Sequence, residues 1–123
     1  MIKEISIKDI SEYYIDAKRS GLLFCKSTTL YGLFIENKLV AFTGLIIMSK
    51  KAIFKNHFVP IKYRGKGYFK TLFDFSIKLV NNMKIKTIEA TCTKMSLPEY
   101  HKRGFENVKI YKKYTKVRYE NIQ

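Results

Sequence analysis

The spacing of apolar positions along the chain changes character several times, and each change marks an element. "IKEISI" alternates apolar and polar residues and predicts a short strand. "IKDISEYYIDAKRS" takes up a 3.6-residue spacing and predicts a helix ending near Gly21. "GLLFCKSTT" is a connection. "LYGLFIENKLVAFTGLIIMSKKAIFKNHFV" predicts three strands, joined by polar hairpins at Glu36-Asn37-Lys38 and Ser49-Lys50-Lys51. After a glycine-containing turn, Phe69, Leu72, Phe73, Ser76, Ile77 and Val80 line one face of a helix over about 68–82. "IKTIEATC" is nearly continuous in apolar character, as a strand in the middle of a sheet would be. "SLPEYHKR" opens a short helix, with Ser96 as N-cap and Pro98 in the first turn, and Gly104 ends it. "FENVKIYKKYTKVRYE" fits one long strand or a tight hairpin.

The resulting order is β-α-β-β-β-α-β-α-β. The strand "AIFKNHFV", the following helix and the strand "IKTIEATC" make a right-handed crossover, which predicts parallel neighbours. Hairpin-length loops make the earlier strands antiparallel. The expected architecture is α/β, a mixed sheet covered by helices, in a single domain over residues 1–123.

Composition sharpens this picture at three points. Apolar residues make up 46% of the chain, with nine Tyr and nine Phe, so a substantial core can form. The longest apolar run, "LVAFTGLIIM", is about half of the ~20 residues a membrane span needs. The charged residues in "MIKEISIKDI" do not suit a signal peptide. Cys25 and Cys92 lack CxxC or His spacing and read as reduced, buried thiols, which points to a cytoplasmic protein without a metal site.

The formal net charge is +14, and it is unevenly distributed. From Lys62 onward there are 15 cationic and 5 acidic residues, against 9 and 5 before it. A field of this sign favours an anionic partner, whether a phosphorylated cofactor, a nucleic acid or an acidic protein. "KIYKKYTKVRYE" interleaves cations with tyrosines and could hold phosphates and stack bases. The same alternation suits a terminal strand with one face in the core.

The candidate chemistry lies in "VPIKYRGKGYF". A strand that runs through a glycine turn straight into a helix leaves the first helical N–H groups pointing outward. With the helix dipole, these form an anion site. Gly65 and Gly67 permit positive φ and close backbone approach, while Arg64, Lys66 and Lys70 supply counter-charge. Neither the Walker A spacing nor the Rossmann fingerprint is present.

These residues resemble the GCN5-related N-acetyltransferase (GNAT) family. "VPIKYRGKGYF" is similar to the family's pyrophosphate loop, Arg/Gln-x-x-Gly-x-Gly/Ala. The order of elements corresponds over nearly the whole chain, and "YHKRGF" matches the family's Tyr-x-x-x-Gly-Phe signature. The resemblance implies acetyl-coenzyme A as donor, with its pyrophosphate on the backbone amides from Arg64 through Gly65, Lys66, Gly67, Tyr68 and Phe69 to Lys70. It also implies a splay between the fourth and fifth strands, where main-chain groups of Phe58 and Val59 run beside the pantetheine. The amide near Val59 would polarise the thioester carbonyl.

The implied reaction is direct attack by an amine, with Tyr100 as the acid that protonates the leaving thiolate. The fourth strand lacks the carboxylate that many members use as base, so His57, Glu89 and a water relay are the alternatives. Two departures stand out. Phe69 replaces the loop's final Gly or Ala, and Thr93 replaces an Asn that often holds the pantetheine.

The acceptor is less legible. The connection "GLLFCKST" is short where the family usually places a second helix, so this abbreviated region suggests an open acceptor site. Such a site would suit a macromolecule or be completed by a homodimer partner. The readings carried forward are an N-acetyltransferase for a small-molecule or protein amine, a nucleic-acid-directed acyltransferase, and a non-catalytic coenzyme A binder.

Overall fold

The computed structural model describes residues 1–19, 22 and 26–120. Among these residues seven strands form one sheet in the order β1-β2-β3-β4-β5-β7-β6. They are β1 (Ile2–Ile5), β2 (Thr29–Ile35), β3 (Lys38–Ile47), β4 (Lys51–Phe58), β5 (Thr87–Thr93), β6 (Glu106–Ile110) and β7 (Tyr114–Glu120). The helices are α1 (Tyr14–Arg19), α2 (Tyr68–Asn82) and α3 (Leu97–Lys102). Among the described residues only β4 and β5 pair in parallel, as the crossover requires, and every other pair is antiparallel.

The two faces of the sheet bury different clusters. On one face, α2 and α3 cover Phe54, Ile88, Ala90 and Val117 with Phe73, Val80 and Tyr100. On the other, Ile10, Tyr13 and Ala17 cover Leu30, Phe42 and Phe58. Each fully buried Leu, Ile or Phe contributes about 1.5–3 kcal/mol in this arrangement. The helical face expected on α2 is the one buried: Leu72, Phe73, Ser76 and Val80 are in the core, and Phe69 and Ile77 pack at its edge.

Two local expectations need revision, and the two forms open to the last segment reduce to one. The first helix opens as a 3-10 segment, Ile7–Tyr13, before becoming α1. Its sequence is rich in β-branched and short polar residues, which favour the α-helix weakly. A capping box in which Ser6 N–H donates to Asp9 Oδ2 at 2.8 Å fixes its start. The expected stop at Gly21 and the thiol of Cys25 lie outside the described residues.

Ser96 begins α3 without capping it through its side chain, because its hydroxyl turns back to Thr93 at 3.3–3.4 Å. The last segment is a hairpin, closed by Tyr111 N–H to Tyr114 O at 2.8 Å. Within β7, Thr115 and Val117 are buried. Tyr119 packs against the core with them, whereas Tyr111 and Tyr114 are exposed beside Lys116.

Candidate active site

β4 and β5 stay paired only from Lys51/Thr87 to Phe54/Ala90. Beyond that point β4 runs on to Phe58 beside β3, and β5 runs on to Thr93 beside β7. The sheet therefore opens into a gap between its central strands. The register of β3 against β4 also shifts there: Gly44 faces Lys55, but Phe42 faces Phe58. This gives β4 one extra residue, a bulge, which inverts the alternation of its side chains. Phe54 and His57 consequently share the α2 face, while Phe58 reaches the opposite cluster.

The loop leading into α2 stands at the end of this gap. Arg64 Nε–H donates to the carbonyl of Val59 at 2.8 Å, which folds the loop back onto the strand end. Arg64 thus clamps the loop as well as charging it. Gly65 and Gly67 take φ values of +80° and +82°, where a Cβ is disfavoured, and at either position an added Cβ would meet open space. The first bond of α2 is Thr71 N–H to Gly67 O at 3.0 Å, so the amides of Tyr68, Phe69 and Lys70 precede the helical ladder. Lys70 is 3.5 Å from Asp74 one turn on, and both are exposed.

Phe69 does not cover these amides. Its ring turns inward against His57 at 5.1 Å and Phe73 at 5.7 Å between centroids. His57 is enclosed by Phe54, Phe69 and Phe73, and neither ring nitrogen has a hydrogen-bond partner. Burial, with a smaller contribution from the Arg103 charge, lowers its pKa to about 3. A group so weakly basic, inside an aromatic cluster, does not suit the base role expected for it.

Tyr100 lies on the same side of the sheet. Its ring meets Phe73 edge-on at 4.7 Å and Phe105 at 5.1 Å. Burial, with a contribution from nearby Cys92, holds the phenol above its ordinary range, so it stays protonated. Arg103 fixes the helix that carries it: Nε–H donates to Asp74 on α2 at 3.1 Å and Nη1–H to Glu99 on α3 at 2.9 Å. The guanidinium lies 4.5 Å above the Phe73 ring. Arg103 was not among the expected site residues, although it lies inside the signature and its spacing of four from Glu99, just before the signature, was a visible signal.

Glu89 belongs to the opposite face. Arg118 donates to it from Nε at 3.0 Å and Nη2 at 2.7 Å, and Lys51 from Nζ at 3.0 Å. Lys116 stands 3.8 Å away. Hydrogen bonding to Arg118, opposed in part by burial, keeps its pKa below the usual carboxylate value. Glu89 is therefore a poor proton acceptor. Thr93 lies at the end of β5 beside the gap, with its hydroxyl on Ser96. No group of three or more His, Cys, Asp or Glu stands together among the described residues, and no described helix is long and apolar enough to cross a membrane.

Comparison with known proteins agrees with this geometry. No curated protein sequence matches the chain. Among solved structures, the PaiA N-acetyltransferase of Thermoplasma acidophilum in complex with coenzyme A superimposes with a TM-score of 0.79 at 17% identity, over 98% of both chains. A GNAT family acetyltransferase from Elizabethkingia anophelis with acetyl-CoA bound gives 0.73 at 17%, over 98% of this chain and 97% of that one. The ribosomal-protein-S18-alanine N-acetyltransferase of Escherichia coli gives 0.75 at 15%, over 96% and 90%. These likenesses establish the shared fold. The family model for the acetyltransferase (GNAT) domain matches residues 9–119, so the chain belongs to the GNAT family of acetyltransferases.

Proposed function

We propose that the protein transfers an acetyl group from acetyl-coenzyme A to a primary amine, by direct attack within a ternary complex. The observation that carries this reading is the loop from Arg64 to Lys70. The Arg64 N–H is taken by the carbonyl of Ile61 at 3.2 Å, and the amides beyond it, with two positive-φ glycines, stand at the end of the gap between β4 and β5. The open space at the Cβ positions of Gly65 and Gly67 fits a diphosphate approaching the backbone. Coenzyme A complexes of the Thermoplasma and Elizabethkingia proteins support the same donor.

In this reading the amides of Gly65 to Lys70 hold the pyrophosphate, and Lys66 and Lys70 add charge. Main-chain groups of Phe58 and Val59 line the pantetheine arm, and the amide at Val59 aims at the thioester oxygen. Thr93 contributes what hydrogen-bonding capacity Ser96 leaves it. The bound donor supplies an activated acetyl thioester. As the amine nitrogen bonds to the carbonyl carbon, the C–S bond breaks, and Tyr100 gives its proton to the departing sulfur and recovers one from solvent. The proton lost by the amine passes to water in the open gap, because His57 is buried and Glu89 is held by cations. Native mass spectrometry with acetyl-coenzyme A, followed by a thiol-release screen across amines, tests this function. Donor binding with amine-dependent thiol release is the expected result.

A further inference from the structure

Lys51, Lys116 and Arg118 converge on Glu89 from β4 and β7, so three cations share one carboxylate. Their side chains are 37–39% exposed, whereas that of Glu89 is only 7% exposed. Arg118 occupies Oε2, and Lys51 takes Oε1 at 3.0 Å. Lys116, at 3.8 Å from Oε1, is beyond hydrogen-bonding distance and keeps its donors for another partner. By the alternation of β4, Lys55 projects from this same face. The other carboxylates here, Glu106 opposite Arg118 and Glu120 opposite Thr87, lie towards the end of β7 remote from the gap. Among the described residues neither forms an ion pair with the cluster.

Lys51, Glu89 and Lys116 line a cleft of about 450 Å3, together with Ile53, Thr91 and the hairpin residues Tyr111 and Tyr114, whose rings lie 5.0 Å apart. The cleft is on the sheet face away from α2. Its position relative to the gap is set by register. Lys116 pairs with Thr91, the residue just past the last β4–β5 pair, and its ammonium reaches back to within 3.8 Å of Glu89 Oε1, one residue short of the apex. The backbone of Lys51, three residues before the apex, lies roughly 10 Å from it at ~3.3 Å per strand residue, and its ammonium also reaches Glu89 Oε1, at 3.0 Å.

We infer that this cleft is the acceptor site, and that it selects small amines carrying an anionic group, a carboxylate or a phosphate. The anion bridges Lys116 and Lys51, and a short chain places the amine at the gap. Polycationic amines are disfavoured by the surplus positive charge of the cluster and by the net charge of +14. The inference rests on the acetyl-transfer reading.

The test compares initial rates with acetyl-coenzyme A for γ-aminobutyrate, its neutral amide, aminopropyl phosphate and diaminobutane, in the wild type and Lys116→Gln. The expected result is at least a tenfold higher kcat/KM for the anionic amines than for the amide. In Lys116→Gln this preference should fall to near parity through KM for the acceptor, with KM for acetyl-coenzyme A unchanged. The relative rates of carboxylate and phosphate amines identify the preferred anion. Equal or faster turnover of the amide or the diamine overturns the anion subsite while leaving acetyl transfer intact. Donor binding without thiol release for any amine overturns both. Lys51→Gln provides a second variant should Lys116→Gln fail to fold.

Discussion

The rings of His57 and Phe69 lie 5.1 Å apart, tilted by 42°. One belongs to the bulged end of β4 and the other to the first turn of α2. Phe69 stands where the family's phosphate loop carries Gly or Ala, and a bulky side chain there would cover the amides if it turned outward. The bulge prevents this by presenting His57 on the α2 face, where its ring gives Phe69 an inward partner. The departure in the loop and the unpartnered histidine in the core are thus two sides of one packing arrangement.

A buried imidazole with no hydrogen-bond partner should make stability depend on pH. The folded pKa of His57, about 3, lies below its ordinary 6.5, so the unfolded chain takes up the proton first as pH falls. Stability from this group is complete above about pH 6.5 and is lost progressively towards pH 3. Between pH 6.5 and 5 the wild type should lose about 2 kcal/mol, an interval above the range in which the carboxylates titrate. Urea denaturation of His57→Leu should lack this loss and show equal or higher stability at neutral pH. Thiol release by the variant should persist, since the base role is assigned to water; its abolition in a folded variant would restore His57 as the base.

Tyr100→Phe should retain the edge-on contacts with Phe73 and Phe105, so the melting temperature should hardly move. Loss of the proton donor should lower kcat by about 100-fold, with KM for acetyl-coenzyme A within twofold of wild type. Steady-state kinetics checks this, and an unchanged kcat would remove Tyr100 from the acid role.

Arg103→Met removes a guanidinium that bonds both Asp74 and Glu99 and lies above Phe73. The side chain is only 12% exposed, so the loss should reach about 1–3 kcal/mol, more than an exposed surface pair would give. Denaturant titration measures it. Turnover should also fall, because α3 carries Tyr100, while coenzyme A affinity should change less than kcat does.

What could be read from the sequence was whatever local periodicity encodes. The strand at "IKTIEATC", the amphipathic face from Phe69 to Val80 and the glycine turn at Gly65 and Gly67 each carry their own signal over a few residues. The bulge in β4 has none, since no Gly or Pro marks it and it exists only in the register against β3. His57 was consequently assigned to the reacting groups when its ring faces the aromatic core. Glu89 had the same difficulty: Lys51 and Arg118 are separated from it by 38 and 29 positions and meet it only when β4, β5 and β7 align. Whether "FENVKIYKKYTKVRYE" turns back on itself depended on Tyr111 and Tyr114 closing a hairpin, a pairing that alternation alone does not determine.

The most direct measurement is calorimetric titration of coenzyme A into the wild type and Gly67→Val. At φ +82° a branched side chain is strained by about 1–2 kcal/mol, and its atoms would occupy the open space above the loop amides. The expected result is saturable binding to the wild type and at least a tenfold loss of affinity in a variant whose far-ultraviolet spectrum remains that of the folded protein. Equal affinity in the two proteins, or no binding to the wild type, would contradict the assignment of the loop as the diphosphate site.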